Sequence, residues 1–176
     1  MKRIFYSALI TIFAFTAKAQ HSLLTSAYFD QLPEKAVVYM GALWCSPCVA
    51  KQNMLEDSLV SRKVAYFPVY DYLGFNHEKA KKLIRRYDST SIVILDPKYR
   101  AKQKSIQVNA DAKRFKMLSA ELKSKNYKLI GSSEFHFGNC LVKVGKNLYI
   151  ISNGKGTPVK AVDEMIKLID ENFSEG

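Results

Sequence analysis

The strongest constraint on the fold comes from two cysteines, Cys45 and Cys48, that follow shortly after a short apolar run. Residues 36–40 have the length and composition of a buried strand, and Cys45 and Cys48 follow within a few positions. From 49 to 60 the apolar side chains recur at loosely helical spacing. Pro47 suits the first turn of a helix because it has no N–H to leave unpaired. The pattern predicts a strand that turns into a helix, with both thiols at the turn.

The rest of the chain alternates between strand-like and helix-like segments. This alternation favours an α/β fold with parallel strand pairs. The predicted strands are 64–70, 91–95, and 141–144 with 148–151 as a hairpin across Gly145. The predicted helices are 76–87, capped by Asn76, a segment from Asn109 or Asp111 to Lys123, and a final helix that begins at Pro158.

The cysteine pair carries the chemistry that the sequence offers. At a helix N-terminus, unpaired N–H groups and the helix dipole stabilise a thiolate, which favours Cys45 as a nucleophile. Cys48, one turn further along, is placed to resolve a mixed disulfide by attacking Cys45. No paired carboxylates, phosphate-binding glycine loop or Ser/His/Asp set stands out, so hydrolase and nucleotide-binding classes are not favoured.

The surroundings of the pair resemble the thioredoxin superfamily. Residues 37–48 end in Trp44-Cys45-Ser46-Pro47-Cys48 and look like that family's strand, active-site loop and helix start. Residues 80–87 and 92–96 are similar to its next helix and strand, so the resemblance spans roughly 30–125.

The resemblance implies a thioredoxin fold, which is a central mixed sheet with helices on both faces, and thiol–disulfide exchange, most simply in the reductive direction. It implies a redox-active Cys45–Cys48 disulfide, no other cofactor, and a substrate groove formed by the four residues Trp44, Ser46, Pro47 and Thr90. The implied partners are protein thiols and disulfides of the cell envelope, with a membrane-bound electron donor. A monomer and no nucleic acid are expected.

Two positions depart from the family pattern. Aligning the chain with the family puts Thr90 where a cis-proline faces the dithiol, and a cis bond before a residue other than proline costs about 3–4 kcal/mol. Tyr39 stands six residues before Cys45, where thioredoxins carry a buried acid that moves the proton of the inner cysteine. Proton transfer from Cys48 would then depend on water or on another group.

Cys140 makes the cysteine count odd, with 3 in the chain. The simplest interpretation is a small buried side chain beside Leu141. The alternatives are a regulatory disulfide partner or a metal ligand, because Cys45, Cys48, His136 and Cys140 together would suit zinc or copper(I). A second class of function is therefore a thioredoxin-fold binding module with weakened catalysis.

The N-terminus indicates export. Lys2 and Arg3 precede an apolar run that ends in Ala17-Lys18-Ala19, which is typical of a signal peptide over residues 1–19. The run is too short for a membrane span, which takes about 20 apolar residues. The predicted location is the periplasm or cell envelope of a bacterium. The net charge of +11 would suggest nucleic acid or a membrane surface, but an exported protein seldom meets DNA.

The C-terminal third allows two arrangements. In the first, residues 20–125 form the thioredoxin-like domain, and 126–176 are a ββα extension packed on it. In the second, 97–139 are a long insertion, and the hairpin with the last helix supplies the family's final strands and helix. The sequence does not choose between them.

Overall fold

The computed structural model describes residues 22–72, 75–83, 92–99, 112–132, 137–151 and 158–173. The strands in these ranges are β1 (Ser22–Leu24), β2 (Lys35–Gly41), β3 (Tyr66–Tyr70), β4 (Val93–Leu95), β5 (Lys128–Ile130), β6 (Cys140–Val144) and β7 (Asn147–Ile151). The helices are α1 (Tyr28–Gln31), α2 (Ser46–Ser61), α3 (His77–Leu83), α4 (Ala112–Ser124) and α5 (Pro158–Phe173).

The described strands form one mixed sheet in the order β1-β4-β3-β2-β6-β7-β5. The strands β1, β4, β3 and β2 are parallel to one another, and β5 runs parallel to β7. The β6–β7 hairpin is antiparallel internally and antiparallel to β2. The strand that leads to the cysteine pair therefore lies in the middle of the sheet.

Strand β2 explains how both faces of the sheet are covered. Successive side chains of a strand point to opposite faces, and every residue of β2 from Ala36 to Gly41 is buried. Val38 and Met40 pack in the core that contains the apolar face of α4, which includes Phe115. Val37 and Tyr39 face the core formed by α2 and α5. The fold is thus an α/β layer structure with helices on both faces.

Most of the predicted elements are confirmed within the described ranges. Asn76 caps α3, because its Oδ1 accepts a hydrogen bond of 2.9 Å from the Lys79 amide. The hairpin turns at Gly145, and the last helix starts at Pro158. The predicted continuation of α3 to residue 87, and a strand near 104–108, lie outside the described residues.

The hairpin is an internal part of the sheet rather than an addition to its edge. Strand β6 lies directly beside β2, with Tyr39 opposite Cys140 and Lys35 opposite Val144. The sheet consequently runs through both segments that the first arrangement separates at residue 125. The division of the chain into a domain and an extension, or a domain with an insertion at 97–139, stays a prediction.

None of the described helices has the length and apolar character needed to cross a bilayer. Residues 1–19, which carry the predicted signal peptide, lie outside the described ranges.

Candidate redox site

The two cysteines of the motif form a disulfide at the start of α2. Their Cα atoms are 5.2 Å apart. Cys45 is the N-cap residue, with extended backbone at φ −104°, and its amide donates a 3.0 Å hydrogen bond to the Ala42 carbonyl. Pro47 lies in the first helical turn. The predicted placement of the pair, at a strand-to-helix turn, is therefore confirmed.

The two sulfurs belong to residues of unequal accessibility. Cys45 is partly exposed, whereas Cys48 lies on the inner face of α2 with 3% of its surface exposed. Any partner that approaches from solvent meets Cys45 first. This asymmetry suits an outer nucleophile and an inner resolving thiol.

Trp44 immediately precedes the disulfide-bonded Cys45 and is partly buried. Its Nε1 donates a 3.2 Å hydrogen bond to Oδ2 of the buried Asp71, which follows β3. Its ring meets that of Phe137 edge-on at 6.1 Å, and Phe137 in turn packs against Phe115 at 5.3 Å. The tryptophan is thus held by a polar contact on one side and an aromatic contact on the other. Ser46 and Pro47 are exposed on the same surface.

The segment 137–139 runs alongside the end of β2. The Gly138 amide donates a 2.6 Å hydrogen bond to the Met40 carbonyl, and the Met40 amide donates one of 2.9 Å to the Asn139 carbonyl. This segment, which contains no proline, enters the strand beside β2. Strand β4 is separated from β2 by β3, and Thr90 lies outside the described residues, so its place in a groove stays a prediction.

The inner face of α2 carries several polar side chains. The residues of α2 that are buried are Cys48, Lys51, Gln52, Leu55, Glu56 and Leu59. Val60, an apolar residue near the end of the helix, is 37% exposed.

Tyr39 and Tyr70 form hydrogen bonds with α2. The Tyr39 hydroxyl donates to the Cys48 carbonyl at 2.7 Å, and Gln52 Nε2 donates to the Tyr70 hydroxyl at 2.6 Å. Burial raises the pKa of both phenols, and of the fully buried Tyr66, well above the ordinary value. The three phenols therefore remain neutral near pH 7.

Cys140 is a free, buried thiol in β6, as the simplest interpretation predicted. Burial raises its pKa, and the nearby Lys51 opposes that shift. Within the described ranges no group of three or more His, Cys, Asp or Glu side chains is arranged to hold a metal ion. His136 lies outside those ranges, so the Cys45, Cys48, His136 and Cys140 set stays an untested alternative.

The fold and the site together define a mixed α/β protein with a C-x-x-C disulfide at the N-terminus of a central helix. No family model, no curated protein and no solved structure matches the chain.

Proposed function

We propose that this chain is a thioredoxin-like thiol–disulfide oxidoreductase with Cys45 as the nucleophile and Cys48 as the resolving thiol. The single observation that carries the proposal is the disulfide itself. It joins a partly exposed N-cap cysteine to a buried cysteine one turn into α2. This position suits a reactive thiol, because the helix N-terminus favours the thiolate while solvent access admits a partner.

In the reduced protein the Cys45 thiolate attacks one sulfur of a partner disulfide. The partner's S–S bond breaks, its other sulfur leaves as a thiolate that takes up a proton, and a mixed disulfide forms on Cys45. Cys48 then loses its proton and attacks the Cys45 sulfur. This step forms the Cys45–Cys48 disulfide and releases the partner's second thiol. The partner gains two electrons and the protein loses two, so the proposed direction is reductive.

The strand order supports a thioredoxin-like fold. The parallel pair β2 and β3 is joined by α2, the hairpin β6–β7 continues the sheet from the other side of β2, and α5 contacts α2. In this arrangement the hairpin and α5 take the place of the family's final strands and helix. The segment 97–139 is then an insertion.

The cellular setting is part of the same proposal. The leader at 1–19 would direct the chain to the periplasm or cell envelope of a bacterium, where its partners would be protein thiols and disulfides. Because such compartments are oxidising, a reductant there needs a donor such as a membrane-bound dithiol to reduce it again. The disulfide is the only redox group that the proposal requires.

The experiment is the capture of mixed disulfides with oxidised glutathione as the probe. Cys48→Ser should accumulate glutathione on Cys45, because the resolving thiol is missing. Cys45→Ser should accumulate at least ~10-fold less, since the two remaining thiols, Cys48 and Cys140, are buried. Cys140→Ser is the matched control and should behave as the parent protein does. Equal, slow labelling of the Cys48→Ser and Cys45→Ser variants would identify a structural disulfide instead.

A further inference from the structure

Lys51 is a buried lysine close to the inner cysteine. It lies three residues after Cys48 on the inner face of α2, and 4% of its surface is exposed. Residues three apart on a helix are neighbours, with Cβ atoms about 5–6 Å apart. Lys51 Nζ donates a 3.3 Å hydrogen bond to the Gly138 carbonyl, in the segment that runs beside the end of β2. The amine therefore lies between the start of α2 and that segment.

Among the residues that the structure describes, no carboxylate forms an ion pair with the Lys51 amine. Tyr149 of β7 is partly buried against the core beneath α2. The buried titratable side chains of the sheet beneath α2 are Tyr39 in β2, Tyr66 and Tyr70 in β3, and Cys140 in β6. Burial raises the pKa of each of these groups, so all four remain neutral near pH 7. On α2 itself, the charge of the buried Glu56 acts on Tyr66 and Tyr70.

A buried ammonium with this environment is costly, because desolvation disfavours the charged form. Burial accordingly lowers the pKa of Lys51, and the neighbouring Cys140 opposes that shift. A lysine of this kind can hold a neutral amine closer to physiological pH than an exposed lysine can. It can also take up a proton when a negative charge appears next to it.

We propose, as an inference that rests on the proposed function, that Lys51 accepts the proton of Cys48 when Cys48 resolves the mixed disulfide. The Cys48 S–H bond breaks and the Lys51 amine becomes an ammonium. The thiolate attacks Cys45 and forms the Cys45–Cys48 bond, and the bond between Cys45 and the partner breaks. The partner leaves as a thiolate that takes a proton from water.

Tyr39 cannot supply this function, although it stands where the family resemblance places a buried acid. Its hydroxyl donates to the Cys48 carbonyl, and burial raises its pKa far above the ordinary value for a phenol. No phenolate is therefore present near pH 7 to act as a base. The proton acceptor of this chain is therefore Lys51 on α2, and not a residue of β2.

A titration of Cys48 tests the inference without requiring any exchange activity. In the Cys45→Ala, Cys140→Ala background, Cys48 is the sole thiol. Its ionisation is followed by thiolate absorbance across pH. Lys51→Met should raise the midpoint by about 1 unit or more, which is about a tenfold loss of thiolate at a given pH, because an opposite charge nearby lowers a thiol pKa by about 1–3 units. An unchanged midpoint in a folded Lys51→Met variant overturns the proposal.

Lys51→Arg is the second variant and covers the case in which the methionine variant fails to fold. An arginine cannot accept a proton, but its fixed positive charge reproduces the ammonium that forms when Cys48 ionises. It should therefore keep the Cys48 midpoint at or below that of the background protein. A midpoint about 1 unit higher contradicts the inference. Lys123→Met, at an exposed position of α4, is the matched control and should leave the midpoint unchanged.

The two proposals fail in different ways. If the protein with native Lys51 captures no glutathione on Cys45, the proposed function fails, yet the Cys48 titration still reports on Lys51. If capture succeeds, Lys51→Met should slow glutathione release from Cys45 about tenfold at pH 7, and the difference should shrink at pH 10, where solvent removes the proton. A pH-independent difference would indicate a merely structural role for Lys51.

Discussion

At the scale of single residues, Tyr39 contributes a hydrogen bond to the fold but no charge to the site. It is fully buried in β2, and its hydroxyl donates 2.7 Å to the Cys48 carbonyl. That bond fixes the first turn of α2 against the sheet. Because burial raises its pKa, the phenol carries no charge that would influence the thiols. Its contribution should therefore appear in stability and not in the pH profile of Cys48.

Tyr39→Phe should lower the free energy of unfolding of the oxidised protein by about 0.5–1.5 kcal/mol, the usual net value of one hydrogen bond. Urea unfolding at pH 7 measures this change. The Cys48 titration of the same variant should match that of its parent. A shift of about 1 unit in that titration would show that the phenol takes part in the ionisation of the thiol.

The residue-level features that the sequence revealed are those that depend on local spacing. Cys45, Cys48 and Pro47 form a motif whose position in a strand–turn–helix unit is evident from the neighbouring apolar residues. The inward placement of Lys51 and Glu56 was not predictable in this way, because charged side chains normally face solvent. Only the packing of α2 on the sheet shows that they are buried.

At the scale of elements, the turn after β5 depends on the absence of a side chain. Gly131 has φ of +89°, and a Cβ there would lie 2.8 Å from the Ile150 carbonyl oxygen in β7. Gly145, in the hairpin turn, also has positive φ, at +58°, but a Cβ would meet only the end of the Glu34 side chain at 3.9 Å. A side chain at Gly145 would therefore meet only the conformational penalty, whereas a side chain at Gly131 would also meet a steric clash.

Gly131→Ala should destabilise the protein by about 2–3 kcal/mol, because it combines a left-handed backbone with a clash. Gly145→Ala should cost only about 1 kcal/mol, the penalty of the left-handed conformation alone. Urea midpoints of the two variants provide the comparison. Equal losses would mean that the strand edge at β5 shifts to relieve the contact.

The elements that the sequence predicted are long or strongly patterned, such as β2, α2, the hairpin and α5. Strands β1 and β5 are three residues each and carry no recognisable period, so they form only because neighbouring strands pair with them. The pairing of the hairpin with β2 likewise depends on contacts between residues that are far apart in the sequence. Local pattern predicts that a hairpin exists but not which strand it joins.

At the scale of the whole molecule, Asp30 ties the N-terminal part of the described chain to its C-terminal part. Its carboxylate accepts hydrogen bonds from Lys125 at 2.8 Å, Tyr127 at 2.9 Å and Lys146 at 2.7 Å. These contacts link α1 to the turn after α4 and to the hairpin turn. The bonds from Lys125, Lys146 and Tyr127 hold the pKa of Asp30 well below its usual range.

A lowered pKa in the folded state means that Asp30 stabilises the protein above the unfolded pKa of about 3.9, and that this contribution is lost as pH falls below it. Asp30→Asn should lower the urea midpoint at pH 7 and reduce the loss of stability between pH 7 and pH 3. Asp163→Asn, at an exposed position of α5, is the matched control and should change neither. An unaltered acid dependence in Asp30→Asn would contradict this assignment.

The central claim is that the Cys45–Cys48 disulfide exchanges electrons with partner thiols, and its equilibrium potential tests this most directly. The folded protein, without residues 1–19, is equilibrated in graded thiol buffers, alkylated and analysed by mass spectrometry. We expect the Cys45–Cys48 pair to have a potential near −250 mV, within the range of known reducing dithiol proteins. A pair that stays oxidised well below about −300 mV, as structural disulfides do, would contradict the claim. A value of about −120 to −180 mV would contradict the reductive direction.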